Sequence, residues 1–132
     1  MNERTYMRFD FLKSNKNKKP LCTAFVDFEH WYIGLERQYG VKPDIKAWKN
    51  QLEKEYEVEE IAVFGDFSNP GLRGELDRLR DTTPIIFDTK THSEHYKKDF
   101  TDFIMLDYIY QKAMTRRDID TFIIFTGDGH FS

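Results

Sequence analysis

Acidic residues follow three short apolar runs of the sequence. These residues are Asp27, Asp66 and Asp128, and at most two residues separate each of them from its run. Such runs are typical of strands buried on both faces of a parallel sheet. Ligands of open parallel sheets bind beyond the carboxyl ends of the strands, where these side chains would meet. A single Asp at such a place is as consistent with a helix cap or a turn, but the three together predict a site.

A second source of carboxylates is the start of a long predicted helix. Asp99 and Asp102 lie in its first turn, three residues apart and therefore on one face. If this end of the helix approaches Asp27 and Asp128, the carboxylates repel one another until a divalent cation binds between them. Oxygen ligands favour Mg²⁺ or Mn²⁺ over zinc. An ion held in this way activates water for the hydrolysis of a phosphodiester bond.

Basic and histidine side chains near the same turns are candidates for substrate binding. Lys97, Lys98 and Arg73 carry the positive charge that would hold phosphates on either side of the cleaved bond. His30 and His130 follow two of the acidic turns, and His130 is the better placed to act on a substrate. None of the histidines has metal-ligand spacing with the single cysteine, so the pattern does not indicate a zinc site.

Strands and helices alternate along the chain. The sequence predicts strands over 21–28, 60–67, 83–87 and 122–125, and helices over 30–39, 45–56, 72–80 and 99–115. This alternation predicts an α/β fold with a doubly wound parallel sheet and right-handed crossovers. The last helix carries Phe103, Leu106, Tyr110 and Ala113 on one apolar stripe, which is typical of a face that packs on a sheet.

The composition limits the classes of protein to consider. At 132 residues the chain is one domain, and its net charge of −3 argues against coating of nucleic acid through bulk charge. The sequence has no apolar run of membrane-spanning length and no apolar secretory signal, so we expect a cytoplasmic protein with no membrane partner. Residues 1–20 are polar and predicted to be a flexible lead-in, and residues 21–132 form the domain.

Three motifs together resemble the NYN domain, a family of PIN-like nucleases. They are VDFEH over residues 26–30, KDFTDFIMLD over 98–107 and FTGDGHF over 125–131. The resemblance covers residues 21 to 131, and the order and spacing of the motifs make it more specific than any motif alone. It implies a PIN-like three-layer α/β/α sandwich with a mostly parallel sheet of four or five strands.

The resemblance also implies an activity and its residues. A chain similar to this family is expected to be a metal-dependent endoribonuclease that uses Mg²⁺ or Mn²⁺ to process or degrade RNA. By motif position the catalytic metal ligands would be Asp27, Asp102 and Asp128, with Asp99 as a fourth metal ligand.

Two departures from the family pattern support an alternative. The family usually has Asn at the position of His30 and Asp at the position of His130, and it has further elements after the last motif that this sequence lacks. The alternative is therefore a catalytically weak or inactive PIN-like module with an RNA-binding or regulatory role. A sheet face that the missing elements leave uncovered could also bind a second copy of the chain, so a homodimer is a further possibility.

A third hypothesis is a receiver-like or phosphatase-like domain with Asp27 as phospho-acceptor or nucleophile. Those folds also place Asp after the first strand. The sequence disfavours this hypothesis, because it has neither an Asp-x-Asp pair at strand one nor a Lys after a later strand.

Overall fold

Five strands form one sheet in the computed structural model, which describes residues 7–10, 18–90 and 100–126. In chain order they are β1 (Met7–Asp10), β2 (Leu21–Asp27), β3 (Glu57–Gly65), β4 (Ile86–Asp88) and β5 (Thr121–Phe125). Their order across the sheet is β1-β5-β2-β3-β4; the last four are parallel, and β1 is antiparallel to β5. The predicted mostly parallel α/β sheet is confirmed.

Helices cover both faces of the sheet. They are α1 (Phe28–Tyr39), α2 (Ile45–Glu53), α3 (Pro70–Arg73), α4 (Leu76–Thr82) and α5 (Phe100–Thr115). Side chains alternate between the two faces of a strand, so Ala24 and Val26 of β2 join the core under α1, α2 and α4, while Phe25 joins a second core under α5. Helix, sheet and helix thus form the three layers that the family resemblance implied.

Of the described helices, only α5 covers the second face of the sheet, and the path of the chain explains why. From β2 the chain moves outward through β3 to β4 and then crosses back to β5 on the other side of β2. Because parallel crossovers are right-handed, a reversal of direction places the crossing helix on the opposite face. The strand order therefore reverses between β2 and β5, the position where such sheets bind ligands.

Local signals set the ends of the first helices. The Asp27 carboxylate accepts a hydrogen bond from the His30 amide at 3.2 Å at the start of α1, and the Asp44 carboxylate caps α2 in the same way by accepting from Ala47 at 3.0 Å. Gly40, in the left-handed region at φ 63°, ends α1. The two helices lie where the sequence predicted them, although α2 ends three residues early.

The first strand was not predicted from the sequence. We predicted residues 1–20 as a flexible lead-in, yet residues 7–10 within this range form β1, with Met7 opposite Ile124 and Asp10 opposite Thr121. A strand at the edge of a sheet pairs through its backbone and needs no particular pattern of side chains. The mixed polarity of residues 7–10 therefore gave no indication of a strand. β1 covers the backbone edge of β5, which would otherwise be open on that side.

Helix α5 contacts the sheet with a different face from the predicted one. Its stripe of Phe103, Leu106, Tyr110 and Ala113 is exposed, which corrects the expectation that these residues pack on the sheet. The inward residues are Ile104, Met105, Tyr108 and Ile109, which pack against the second core. Both faces of α5 are apolar, so helical periodicity alone could not choose between them. Within the described part of the chain, no helix has the length and apolar character that crossing a bilayer requires.

Candidate metal centre

The centre of the candidate site is Asp27 at the carboxyl end of β2. Its side chain is 2% exposed, and both of its oxygens are engaged. Oδ1 accepts the hydrogen bond from the His30 amide, and Oδ2 lies 2.8 Å from His30 Nδ1. Asp27 therefore combines a structural role, as the cap of α1, with an ion pair to a side chain one turn later.

The second carboxylate comes from the other face of the sheet. Asp102 lies in the first turn of α5, and one ligand atom each from Asp27, His30 and Asp102 lie within 4.8 Å of one another. Two ligands of one small divalent cation lie up to about 4.4 Å apart, because each bond is about 2.0–2.2 Å long. Small rotations of these side chains would therefore bring all three donor atoms to a single ion.

The topology of the sheet produces this convergence. A helix that follows a parallel strand begins at the carboxyl edge of the sheet, which places the first turns of α1 and α5 at the same edge. Since α1 and α5 lie on opposite faces, their first turns approach the end of β2 from both sides. The predicted approach of Asp102 to Asp27 is what the structure shows.

The negative charge of the cluster acts strongly on His30. The pKa of His30 is raised to about 9, chiefly by its hydrogen bond to Asp27 and also by the charges of Asp27, Asp102 and Glu29, while partial burial opposes the rise. At neutral pH His30 is thus an imidazolium beside two carboxylates. The cluster attracts positive charge at the position where a metal ion would bind.

The ion pair makes a testable prediction for the metal-free protein. We expect His30 to titrate near pH 9, and Asp27→Asn to return its pKa toward 6.5 because the substitution removes the hydrogen bond to the carboxylate, which is the largest cause of the rise. The pH dependence of the NMR chemical shifts of the His30 ring measures both pKa values. A wild-type titration near 6.5 would contradict the ion pair.

The same shift sets the sign of a pH effect on stability. The folded pKa of His30 lies above the unfolded value, so its contribution is complete below pH 6.5 and is lost as pH rises through about 9. Solvent screening keeps this contribution small, because the His30 side chain is 57% exposed.

Other acidic residues follow the neighbouring strands at the same edge. Asp66 follows β3, and its Oδ1 accepts hydrogen bonds from the backbone and hydroxyl of Ser68, so this carboxylate stabilises a turn. Glu29 accepts from the Asp66 amide at 3.2 Å, and burial above all raises the pKa of Glu29. Asp88, at the end of β4, accepts from the amides of Phe67 and Lys90. Of these carboxylates, Glu29 acts electrostatically on His30, and Asp66 acts on Glu29.

The structure covers only part of the predicted site. Arg73 is exposed at the end of α3, the short helix that follows β3. The other predicted residues lie outside the described residues: Lys97, Lys98, Asp99, Asp128 and His130. For these five the sequence-based roles stay predictions.

The position of His30 near an acidic turn predicts a role in substrate binding but not its contact with Asp27. The structure pairs its ring with Asp27, the cap of its own helix, and the substrate-binding role stays a prediction. A signal was present, because a polar residue at the third position of a helix characteristically reaches back to the capping residue. The spacing Asp27 to His30 has this form.

Comparison with known proteins gives no relative for this chain. No family model matches it, and no curated protein or solved structure matches it either. The resemblance to NYN domains therefore stays a prediction that rests on the three acidic motifs.

Proposed function

We propose that this chain is a metal-dependent, endoribonuclease-like domain that hydrolyses RNA phosphodiester bonds in the cytoplasm. One observation carries the proposal: Asp27 and Asp102, from opposite faces of the sheet, meet with His30 at the point where the strand order reverses. A divalent ion held there would lower the pKa of a water molecule and polarise a phosphate oxygen.

The donor set favours Mn²⁺ over Mg²⁺. The acidic motifs alone offer oxygen ligands only, whereas the cluster adds an imidazole nitrogen. Imidazole suits transition metals, and Mg²⁺ keeps to oxygen ligands. To act as a ligand His30 must give up its proton, so ion binding should become tighter as pH rises toward 9.

The chain's own residues have distinct roles in this proposal. Asp27 is held rigidly by the α1 amide and gives the site a fixed anionic centre. Asp102 supplies a second charge from α5. The predicted cations Lys97, Lys98 and Arg73 would hold the RNA phosphates. Asp99 and Asp128 would complete the metal site as the motif resemblance implies, and His130 would contact the substrate.

The test is cleavage of end-labelled single-stranded RNA with Mn²⁺, Mg²⁺ or EDTA. We expect cleavage with Mn²⁺, less with Mg²⁺ and none with EDTA. Asp102→Asn should reduce the rate about a hundredfold or more, because loss of a residue that only supports a metal ligand already costs 10- to 100-fold. The matched control is Asp107→Asn, which changes an exposed carboxylate on the same helix that contacts Gln111. Cleavage that EDTA or Asp102→Asn leaves unchanged would refute the proposal.

A second candidate is an RNA-binding module without catalysis. The observation that favours it is the 2.8 Å contact between His30 and Asp27, which neutralises the central carboxylate without a metal. RNA binding that persists in EDTA, with no cleavage under any metal, would favour this candidate. His30→Asn, which has the residue usual in the resembling family, would then be expected to restore Mn²⁺ binding.

A further inference from the structure

An exposed apolar stripe runs along the solvent side of α5. Phe103 is 68% exposed, Leu106 56%, Tyr110 64% and Met114 55%. Their spacings of three, four and four residues place them on one face of the helix. The stripe is separate from the inward face, whose Met105 is buried in the second core.

The stripe is large for a surface that faces water. At these exposed fractions the four side chains present on the order of 500 Å², comparable with the largest apolar patch of an ordinary monomer. Two such stripes buried against each other would remove about 1,000 Å², the lower limit of a specific interface. The area therefore fits a weak dimer in which each copy contributes one helix.

The charges along α5 favour a second copy of the chain as the partner. Asp102 and Asp107 lie in its first half, and its basic end is the exposed Arg117, because Arg116 is paired with Glu59 and Asp118. Two copies of α5 that pair antiparallel bring the acidic half of each against the basic end of the other. Parallel pairing would oppose like charges. The antiparallel arrangement also has the two-fold symmetry that most homodimers use.

We propose that the α5 stripe binds the α5 stripe of a second copy in antiparallel orientation, which places Arg117 of each copy beside the Asp27, His30 and Asp102 cluster of the other. Arg116 is committed to Glu59 and Asp118. Arg117 is exposed and makes no ion pair with the described residues. It is thus available to hold an RNA phosphate at the neighbouring site. This role for Arg117 rests on the proposed ribonuclease function, whereas the dimer does not.

Sedimentation velocity over a concentration series tests the dimer without metal or RNA. We expect a reversible dimer with a dissociation constant in the micromolar range. Leu106→Glu should raise that dissociation constant about tenfold or more, because it places a charge between the two paired apolar stripes. Val41→Glu is the matched control, since Val41 is 50% exposed and lies outside α5. A monomer at every concentration, or a dimer that Leu106→Glu leaves intact, would overturn the proposal.

Cross-linking tests the orientation. Antiparallel pairing places Phe103 of one copy near Met114 of the other, so a mixture of Phe103→Cys and Met114→Cys should form disulfide-linked dimers faster than either variant alone. The native Cys22 is buried and contributes little background. Faster linkage within each single variant would show parallel pairing and overturn the proposal.

Complementation tests Arg117 in RNA cleavage. Arg117→Ala and Asp102→Asn should each be impaired alone, and their mixture should regain part of the activity. In a mixed dimer the intact Asp102 site receives the intact Arg117 of the other copy. No recovery on mixing would refute the role of Arg117.

Two results separate this inference from the proposed function. A parent without any RNA cleavage would refute the proposed function, while sedimentation and cross-linking still decide the dimer. A protein that stays monomeric while Leu106→Glu weakens binding of a single-stranded RNA oligonucleotide would instead assign the stripe to RNA.

Discussion

Asp27→Asn is expected to abolish Mn²⁺ binding while the protein stays folded. The substitution removes the central negative charge of the cluster but keeps a side-chain oxygen that can accept from the His30 amide, because Asn caps helices as well as Asp does. We expect the affinity for Mn²⁺ to fall by more than about a hundredfold, since Asp27 is a direct member of the cluster. Calorimetric titration of the metal measures the loss.

The chain offers a matched control for this experiment. Asp44 caps α2 by the same contact that Asp27 makes at α1, with the Ala47 amide 3.0 Å from its Oδ1. Asp44→Asn therefore repeats the chemical change at a helix start outside the cluster and should leave Mn²⁺ binding unchanged. Equal losses in the two variants would indicate a general effect on the protein. Undiminished binding in Asp27→Asn would place the metal elsewhere.

Phe64→Ala is expected to destabilise the protein by about 3–5 kcal/mol. Phe64 is fully buried in β3, with its ring stacked on Phe87 at a centroid distance of 4.9 Å and edge-on to Tyr108 at 5.8 Å. Removal of the ring leaves a cavity in the core under α5 and breaks both ring contacts. Urea denaturation monitored by circular dichroism measures the loss in the free energy of unfolding.

The same substitution on α5 should have almost no effect. Phe103→Ala removes a ring that is 68% exposed, so in dilute protein we expect a change within about 0.5 kcal/mol. The two variants remove the same atoms and differ in burial. An equal loss in the free energy of unfolding for Phe103→Ala and Phe64→Ala would mean that α5 packs on the sheet with the stripe that the sequence pattern suggested. The stripe would then not be exposed.

Local patterns predicted the parts of the fold that depend on few residues. A short apolar run before Asp27 indicated a strand covered on both faces, and β2 is that strand at the centre of the sheet. Gly40 and Asp44 indicated the end of one helix and the start of the next, and both cap as expected. Parallel strands were predictable because helices alternate with them, and parallel strands necessarily end at one edge.

The predictions were wrong where the outcome depended on which surface of the folded sheet a segment meets. On α5 two apolar faces were available, and the aromatic side chains Phe25 and Phe64 of the sheet selected the face with Met105 and Tyr108. β1 formed because β5 presents an open backbone edge, a feature of the folded sheet and not of residues 7–10. Neither outcome has a signal within its own segment.

The candidate site shows the same division. The sequence by itself determined which carboxylates stand at the ends of strands and at the start of α5, because these places follow from the order of elements along the chain. Only the tertiary structure decided that Asp102 reaches Asp27 and that His30 turns its Nδ1 to the same carboxylate. Those contacts depend on α1 and α5 covering opposite faces, and the hand of the crossovers sets that arrangement only once the strand order is known.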